Sequence, residues 1–167
     1  MTTIYLIRHA EAEGNLYRRV HGWYNSLITE NGFRQIAALE ARFRDVPVDA
    51  VYSSDLFRTS ATARAVYIPK NLPLNTDPGL REMNLGDWED LPFGYVRHRW
   101  PEEMERFNRS DPTWQAPNGE GFHQLGRRIE GTVRRIAEEH PGQTLALFSH
   151  GMAIRQFLGL VKTVPPE

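Results

Sequence analysis

The sequence has 167 residues, which is the size of one ordinary domain, and its formal net charge of −1 excludes a general attraction to nucleic acid or to anionic membranes. It contains no cysteine, so disulfide bonds, thiol catalysis and zinc-cysteine sites are excluded as well. Its N-terminal apolar run is too short for a signal peptide or a membrane span, and we expect a cytoplasmic protein.

Short apolar runs bounded by turn signals predict four buried strands. They are Thr3 to Ile7, Ala50 to Ser53, Leu74 to Asp77 and Thr144 to Ser149. Helical patterns occupy most of the intervals between these runs. Strands that alternate with helices are typical of an α/β layer with a mostly parallel sheet.

Four helices are predicted from the spacing of apolar residues. The first has Thr29 as its N-cap and four apolar residues on one face: Phe33, Ile36, Leu39 and Phe43. The second is capped by Ser54 or Asp55. The third covers Phe122 to His140, and the fourth starts near Gly151. A sheet of this type could take another strand after the fourth helix, where the sequence ends.

The segment Asn84 to Gly121 breaks this pattern, since it holds three Trp, four Pro and several charges. We expect an insertion of short helices and loops that covers the active site, within a single domain over 1–167. Six aromatic residues could line a leaving-group pocket or form a small core of this insertion. They are Trp23, Tyr24, Phe93, Tyr95, Trp100 and Trp114.

Basic residues follow three of the predicted strands. Arg8 and His9 follow the first strand, Arg58 lies in the first turn after the second, and His150 follows the fourth. Ligands bind at the carboxyl ends of parallel strands. Arginine forks and helix N-termini suit an anion with several oxygens. The sequence therefore predicts a phosphate site at this edge of the sheet.

A phosphate at this edge would lie beside two imidazoles, one of which could attack phosphorus. Neighbouring positive charge lowers the pKa of a histidine and keeps the nucleophile neutral. The departing alkoxide needs a proton, and Glu82, after the third strand, is a candidate general acid. In the alternative interpretation, Glu82 pairs with Arg81 in solvent and Asp55 is only a helix cap.

Five stretches of the sequence resemble the motifs of the histidine phosphatase superfamily, the phosphoglycerate mutase-like proteins, and most of all its short bacterial phosphatases. They are LIRHAEAEGN, GWYNSLITENGFRQ, SSDLFRTSATA, LREMNLGDWE and SHG. The resemblance implies a phosphoglycerate mutase-like α/β fold, a three-layer α/β/α sandwich with a mostly parallel central sheet. It also implies a phosphatase (a phosphoric monoester hydrolase) that acts on a small organic phosphate through phosphohistidine.

The same resemblance implies residue roles. His9 is the nucleophile, and Glu82 is first the proton donor and then the base. The phosphoryl group is held by Arg8, Asn15, Arg58 and His150. No metal and no cofactor is required. The other histidines are expected to face solvent or to form structural hydrogen bonds: His21, His98, His123 and His140. Gly121 lacks the hydroxyl that the family often has at this helix start.

Three alternatives remain open at this point. A mutase would return the phosphoryl group to its product. A metallohydrolase would use His9, His150 and Glu82 as ligands, although the arginines would oppose a cation. A non-catalytic module would only bind a phosphorylated ligand. The expected partner is a small phosphate ester, without nucleic acid or membrane, and its identity is open.

Overall fold

A computed structural model describes residues 1–162 of the chain. The position after the fourth helix, where the sheet could take another strand, lies outside this range. Four parallel strands form one sheet in the order β1-β4-β2-β3. Their bounds are Thr3–Arg8 (β1), Ala50–Ser53 (β2), Leu74–Thr76 (β3) and Thr144–Ser149 (β4). The four predicted strands are confirmed to within one residue.

Seven α-helices lie within the described range. They are α1 (Glu13–Leu16), α2 (Glu30–Phe43), α3 (Phe57–Tyr67), α4 (Phe93–Arg99), α5 (Pro101–Asn108), α6 (Phe122–Glu139) and α7 (Gly151–Val161). Four of them, α2, α3, α6 and α7, are the predicted long helices. The two in the insertion, α4 and α5, confirm short helices there, and α1 was not predicted.

Helices cover both faces of the sheet, as the central strand β4 shows. Side chains alternate along a strand. Leu145 and Leu147 therefore enter a core that also contains residues of α6 and α7, whereas Ala146 and Phe148 enter a second core with residues of α2 and α3. The three-layer α/β/α arrangement is thus confirmed.

The cap predictions are partly right. The Thr29 hydroxyl accepts a hydrogen bond from Gly32 N at 3.0 Å, so Thr29 caps α2 as expected. No side chain caps α3, because the Ser54 hydroxyl lies 2.8 Å from Nε2 of His150 and Asp55 pairs with Arg81. On α2, Phe33 is 57% exposed and lies outside the apolar face.

The insertion is organised around buried aromatic rings. The ring centroids of Trp88 and Trp114 lie 5.1 Å apart, and those of Phe107 and Trp114 lie 5.0 Å apart. The Phe107 ring also stacks on Phe122, the first residue of α6, with the centroids 5.9 Å apart. These contacts fix the insertion against α6, above the carboxyl ends of the strands.

Candidate active site

A cleft of about 590 Å³ opens at the carboxyl ends of β1 and β4. One group of its lining residues comes from the strand ends and the turns after them, and includes Arg8, His9, Asn15, Glu82 and Gly151. A second group belongs to the insertion: Leu85, Phe93, Arg97, Met104, Phe107 and Asn108. The cleft therefore lies between the sheet edge and its cover.

His9 is held as a neutral imidazole with one free nitrogen. Its Nδ1 lies 2.7 Å from the carbonyl oxygen of Ala10. Because a carbonyl only accepts, Nδ1 carries the proton and Nε2 keeps its lone pair. Burial and the Arg58 guanidinium lower the pKa of His9 to about 3. Such an imidazole can act as a nucleophile at neutral pH.

His150 is fixed by a chain of hydroxyl groups. Its Nε2 lies 2.8 Å from the Ser54 hydroxyl, which also contacts the Thr59 hydroxyl. The Thr59 hydroxyl donates to the carbonyl of Leu56 at 2.7 Å, so Ser54 donates to Thr59 and accepts from His150. Nδ1 of His150 is buried without a partner. The His150 ring centroid lies 5.2 Å from that of His9.

Arg58 is a fully buried cation bound to backbone carbonyls. Its terminal nitrogens donate to Tyr24 O at 2.9 Å and to His21 O and Gly22 O at 2.7 Å. Burial lowers the pKa of Arg58 to about 10, so it remains charged at neutral pH. Its Nε is buried without a partner among the described residues. As an N–H donor, this atom would gain a partner from a bound anion.

Arg8 passes the N-terminus of α7, where a glycine makes room for it. A Cβ on Gly151 would lie 3.3 Å from Nε and 3.4 Å from Cζ of Arg8. Asn15 is also oriented by the backbone, since its Oδ1 accepts from Ala12 N at 3.0 Å. Its amide nitrogen is thus left to donate into the cleft.

Glu82 is held by three backbone N–H groups. Oε1 accepts from Met83 N and Ala153 N, and Oε2 accepts from Met152 N, each at 3.0 Å. Burial raises the pKa of Glu82, although these hydrogen bonds favour its ionised form. With one bond fewer, Oε2 is the oxygen better placed to carry a proton.

The alternative interpretation of Glu82 as a partner of Arg81 is wrong. Arg81 binds both oxygens of Asp55, with its Nε and Nη2 each 2.6 Å away. Asp55 is therefore the partner of Arg81 and not a helix cap. This pairing leaves the Glu82 carboxylate to the backbone and to the cleft.

His21 is a site residue that the sequence analysis did not predict as one. It lines the cleft, its Nδ1 lies 2.9 Å from the Ser26 hydroxyl, and its ring centroid lies 5.7 Å from that of His9. A Cβ on Gly14 would come within 2.3 Å of Cγ of His21, so glycine at that position makes room for the ring. Burial and Arg58 lower the pKa of His21 to about 4.

The expectation holds for the other three histidines. His98 and His123 are exposed. His140 forms a structural hydrogen bond, with its Nε2 2.8 Å from the Tyr52 hydroxyl. None of the three lines the cleft.

Glu89 is a second residue that the sequence analysis missed. Its carboxylate accepts from Trp23 N at 2.7 Å, from Tyr24 N at 2.9 Å and from Leu85 N at 2.9 Å. It therefore holds the loop whose carbonyls bind Arg58. The sequence contained a signal that could have identified Glu89, because it is the last residue of LREMNLGDWE, a stretch that resembles a motif of the family.

Three of the six aromatic residues take one of the two expected roles, and three take neither. Phe93 lines the cleft, whereas Trp114 is buried in the insertion core and Trp100 packs against that core. Tyr95 is exposed at the edge of Trp100. Two belong to the loop around Arg58: Trp23, whose indole donates to Glu82 O at 2.9 Å, and Tyr24.

Within residues 1–162, no group of three or more histidine, cysteine, aspartate or glutamate side chains could hold a metal ion. Among the helices of these residues, none has the length and apolar composition of a membrane span. Gly121 is the N-cap residue of α6 and has no side chain that could cap the helix, and its N–H donates to Gln124 Oε1 at 2.9 Å.

Comparison with known protein families shows which family this chain belongs to. The model of the histidine phosphatase superfamily (branch 1) matches residues 4–167. The chain belongs to the histidine phosphatase superfamily. A curated member of the superfamily from Yersinia pestis (strain Pestoides F), probable phosphoglycerate mutase GpmB, is 34% identical over 99% of this chain and 77% of its own length.

Solved structures of similar proteins show the same fold. Bacillus stearothermophilus YhfR matches with a TM-score of 0.94 and 32% identity, over 99% of this chain and 82% of its own. The α-ribazole phosphatase from Shigella flexneri matches with 0.86 and 28%, over 96% and 80%. A mycobacterial glucosyl-3-phosphoglycerate phosphatase, in complex with VO3, matches with 0.87 and 26%, over 95% and 81%. The fold is that of the phosphoglycerate mutase-like proteins.

Proposed function

We propose that this chain is a phosphomonoesterase that hydrolyses a small organic phosphate through phosphohistidine on His9, without a metal ion. The substrate phosphate occupies the end of the cleft lined by Arg8, His9 and Glu82, which we call, together with the fully buried Arg58 and His150, the phosphate end. A cytoplasmic location stays a prediction from the sequence.

The observation that carries the proposal is a pair of unsatisfied buried atoms beside a free nucleophile. Nε of Arg58 and Nδ1 of His150 have no partner among residues 1–162. Buried polar atoms are normally hydrogen-bonded. A phosphate oxygen would satisfy Nε directly, and it would satisfy Nδ1 once that nitrogen gains a proton. Either bond would hold the phosphate near His9, whose ring centroid lies 5.2 Å from that of His150.

The first chemical step forms one bond and breaks one. Nε2 of His9 attacks phosphorus, the phosphorus–oxygen ester bond breaks, and the proton of Glu82 goes to the departing oxygen. The cationic arginines stabilise the charge on the equatorial oxygens. Neutral His9 is available for this step because its pKa lies well below neutral pH.

The second step reverses the role of the carboxylate. Glu82, now ionised, takes a proton from water while the oxygen of that water attacks phosphorus. The phosphorus–nitrogen bond breaks, inorganic phosphate is released, and His9 is again a neutral imidazole. Three backbone N–H groups hold Glu82 in place and support its ionised form in this step.

Phosphoryl transfer to a bound product is the second candidate. It is favoured by the name of the Yersinia relative, a probable phosphoglycerate mutase. The two activities share the first step and differ in the acceptor. Release of inorganic phosphate from 3-phosphoglycerate indicates a phosphatase, and conversion to 2-phosphoglycerate without release indicates a mutase.

Phosphate release from p-nitrophenyl phosphate tests the proposal. We expect turnover that survives exhaustive chelation, and nearly complete loss of it in folded His9→Ala. The matched control is His98→Ala, an exposed histidine outside the cleft, which should retain activity. Substantial turnover by folded His9→Ala would rule out the nucleophile, and recovery with one specific metal after chelation would favour the metallohydrolase.

A further inference from the structure

We propose that Arg128, paired with Glu120, is a positioning residue for Glu82 and links the insertion to the proton donor. Arg128 lies on α6 and does not line the cleft, so it acts through Glu82 and not on the substrate. The inference rests on the proposed function, because it assigns Arg128 to the step in which Glu82 gives a proton to the departing oxygen.

The main chain that leads to Glu82 is held by the guanidinium group of Arg128. Three carbonyls accept hydrogen bonds from it: Gly79 O and Arg81 O from Nη1, each at 3.0 Å, and Glu82 O from Nη2 at 2.9 Å. The segment also lies directly against α6, since a Cβ on Gly79 would come within 2.1 Å of Oγ1 of Thr132. Arg81 and Glu82 lie outside the strands and helices, so a side chain here takes the place of a backbone ladder.

Glu120 completes this arrangement and brings in the insertion. Its two oxygens accept from Nε and Nη2 of Arg128, each at 2.8 Å, and the two side chains are only 17% and 21% exposed. Its carboxylate also accepts from Asn84 N at 2.8 Å, and Glu120 N donates to Asn84 O at 2.8 Å. Asn84 and Glu120 lie at the two ends of the insertion and close its base. Arg128 therefore joins the main chain of Glu82 to that base.

The carboxyl group of Glu82 is held separately, at the start of α7. Two of its three N–H partners, Met152 N and Ala153 N, belong to the first turn of that helix. Glu82 is thus fixed at its main chain by α6 and at its carboxyl group by α7, and the two helices share one core. A shift of the main chain would move the proton away from the departing oxygen. Misplacing a reacting group by about 1 Å can cost about a hundredfold in rate.

The pair acts through position and not through charge. Glu120 neutralises Arg128, and the arginine whose charge lowers the pKa of Glu82 is Arg58, against the larger effect of burial, which raises that pKa. A guanidinium group suits this task, because its planar fork of five N–H donors can bind three carbonyls and a carboxylate together. Arg134, on the same helix, pairs only within α6, and its side chain is 63% exposed.

The dependence of the loss on the leaving group tests this role. The alkoxide of glycerol 3-phosphate needs a proton to leave, whereas nitrophenolate is a stable anion. We therefore expect Arg128→Gln to lower kcat/KM by about tenfold to a hundredfold on glycerol 3-phosphate and by at most about threefold on p-nitrophenyl phosphate. Equal losses on both esters would mean that Arg128 only stabilises the fold, and would overturn the inference.

Two further variants make this comparison secure. Arg134→Gln is the matched control on α6 and should keep the wild-type kcat/KM on both esters. Arg128→Lys takes the place of Arg128→Gln if the latter does not fold, because lysine keeps the charge but has three donors and no planar fork. It should show the same selective loss on glycerol 3-phosphate. A folded Arg128→Lys without that selectivity contradicts the proposal.

A double-mutant cycle with Glu82→Gln separates positioning from stability. In that background no acid remains to be placed, so the addition of Arg128→Gln should cost little further activity on glycerol 3-phosphate. A structural role would lower kcat/KM by the same factor in both backgrounds. Equal factors would therefore overturn the inference.

Failure of the proposed function gives a different pattern. A wild type without turnover on either ester refutes the proposed function and this inference with it. Equal losses on both esters in Glu82→Gln would remove Glu82 as the acid, and with it the group that Arg128 is proposed to position. A selective loss in Glu82→Gln without one in Arg128→Gln overturns the inference alone.

Discussion

At the phosphate end the backbone fixes the side chains of Arg58 and Glu82, whereas two arginines at the mouth of the cleft, where Arg18 and Arg97 lie with Phe93, are exposed to solvent. Arg58 is bound to three carbonyls and Glu82 to three N–H groups. Arg18 and Arg97 are exposed. On the proposed function, we expect a division of labour: the phosphate end would perform chemistry that does not depend on the alcohol, and the mouth would contact the alcohol. Changes at the two ends should therefore have different kinetic signatures.

The largest effect is expected for Glu82→Gln on alkyl phosphates. A sugar alkoxide needs a proton to leave, whereas nitrophenolate is already a stable anion. We expect a loss of two to four powers of ten in the first step on an alkyl ester, about the range for general acid catalysis, and far less on p-nitrophenyl phosphate. Pre-steady-state rates of wild type and variant on both esters measure this. Equal slowing on both would mean that Glu82 organises the site instead of donating a proton.

The next largest effect is expected for Arg8→Lys and Arg58→Lys. Lysine keeps the charge but loses the planar fork. We expect kcat/KM to fall by about two to three powers of ten for either variant, the scale for one transition-state donor. Arg64→Lys, on the exposed side of α3, is the control. If folded Arg58→Lys behaves like the control, Arg58 does not contact the phosphoryl group.

A smaller effect, of a different kind, is expected at the mouth. Phe93→Ala removes a half-buried ring that lines the cleft without contacting the reacting atoms. We expect KM for a sugar phosphate to rise by about fivefold, the scale of losing half of a buried aromatic surface, with little change in kcat. Tyr95→Ala, an exposed residue of the same helix, is the control. A large fall in kcat for Phe93→Ala would contradict the division between the two ends.

The phosphate end should also make stability depend on pH. The folded pKa of His9, about 3, is below its ordinary value of 6.5, so between these values the unfolded chain binds more protons and stability falls as the pH falls. At pH 5 this costs about 2 kcal/mol. His21 acts in the same direction, and Glu82, with its raised pKa, acts in the opposite one.

Denaturant unfolding between pH 7.5 and pH 5 measures this dependence. We expect the free energy of unfolding to drop less steeply in His9→Gln than in the wild type. His98→Gln, at an exposed position, should keep the wild-type slope. Identical slopes in all three proteins would mean that His9 is not buried as a neutral imidazole.

Residues at strand ends could be predicted from the sequence, because the topology of a parallel sheet decides where they lie. Arg8 is the last residue of β1, His9 and His150 directly follow β1 and β4, and Glu82 follows the third strand after a short turn. Once the order of strands and helices is read, their convergence follows without any knowledge of loops.

Residues that depend on long-range loop contacts could not be predicted in this way. His21 enters the cleft because its loop is bound to Glu89 and Arg58, far away in the sequence. Ser54 was predicted to be a helix cap because it lies just before α3. Its hydrogen bond to His150 spans 96 residues, so no local pattern indicates it. Local patterns predict local partners, and both residues have distant ones.

The accumulation of phosphohistidine in Glu82→Gln is the most direct test of the central claim. After reaction with p-nitrophenyl phosphate, this variant should show a burst of nitrophenol and then slow turnover, because its second step lacks the base. Rapid quenching and peptide mapping should find a single acid-labile, base-stable phosphoryl group per chain on the peptide that contains His9. The label should be absent from the double variant His9→Gln, Glu82→Gln. A burst without label, or a label on His21 or His150, would contradict the account.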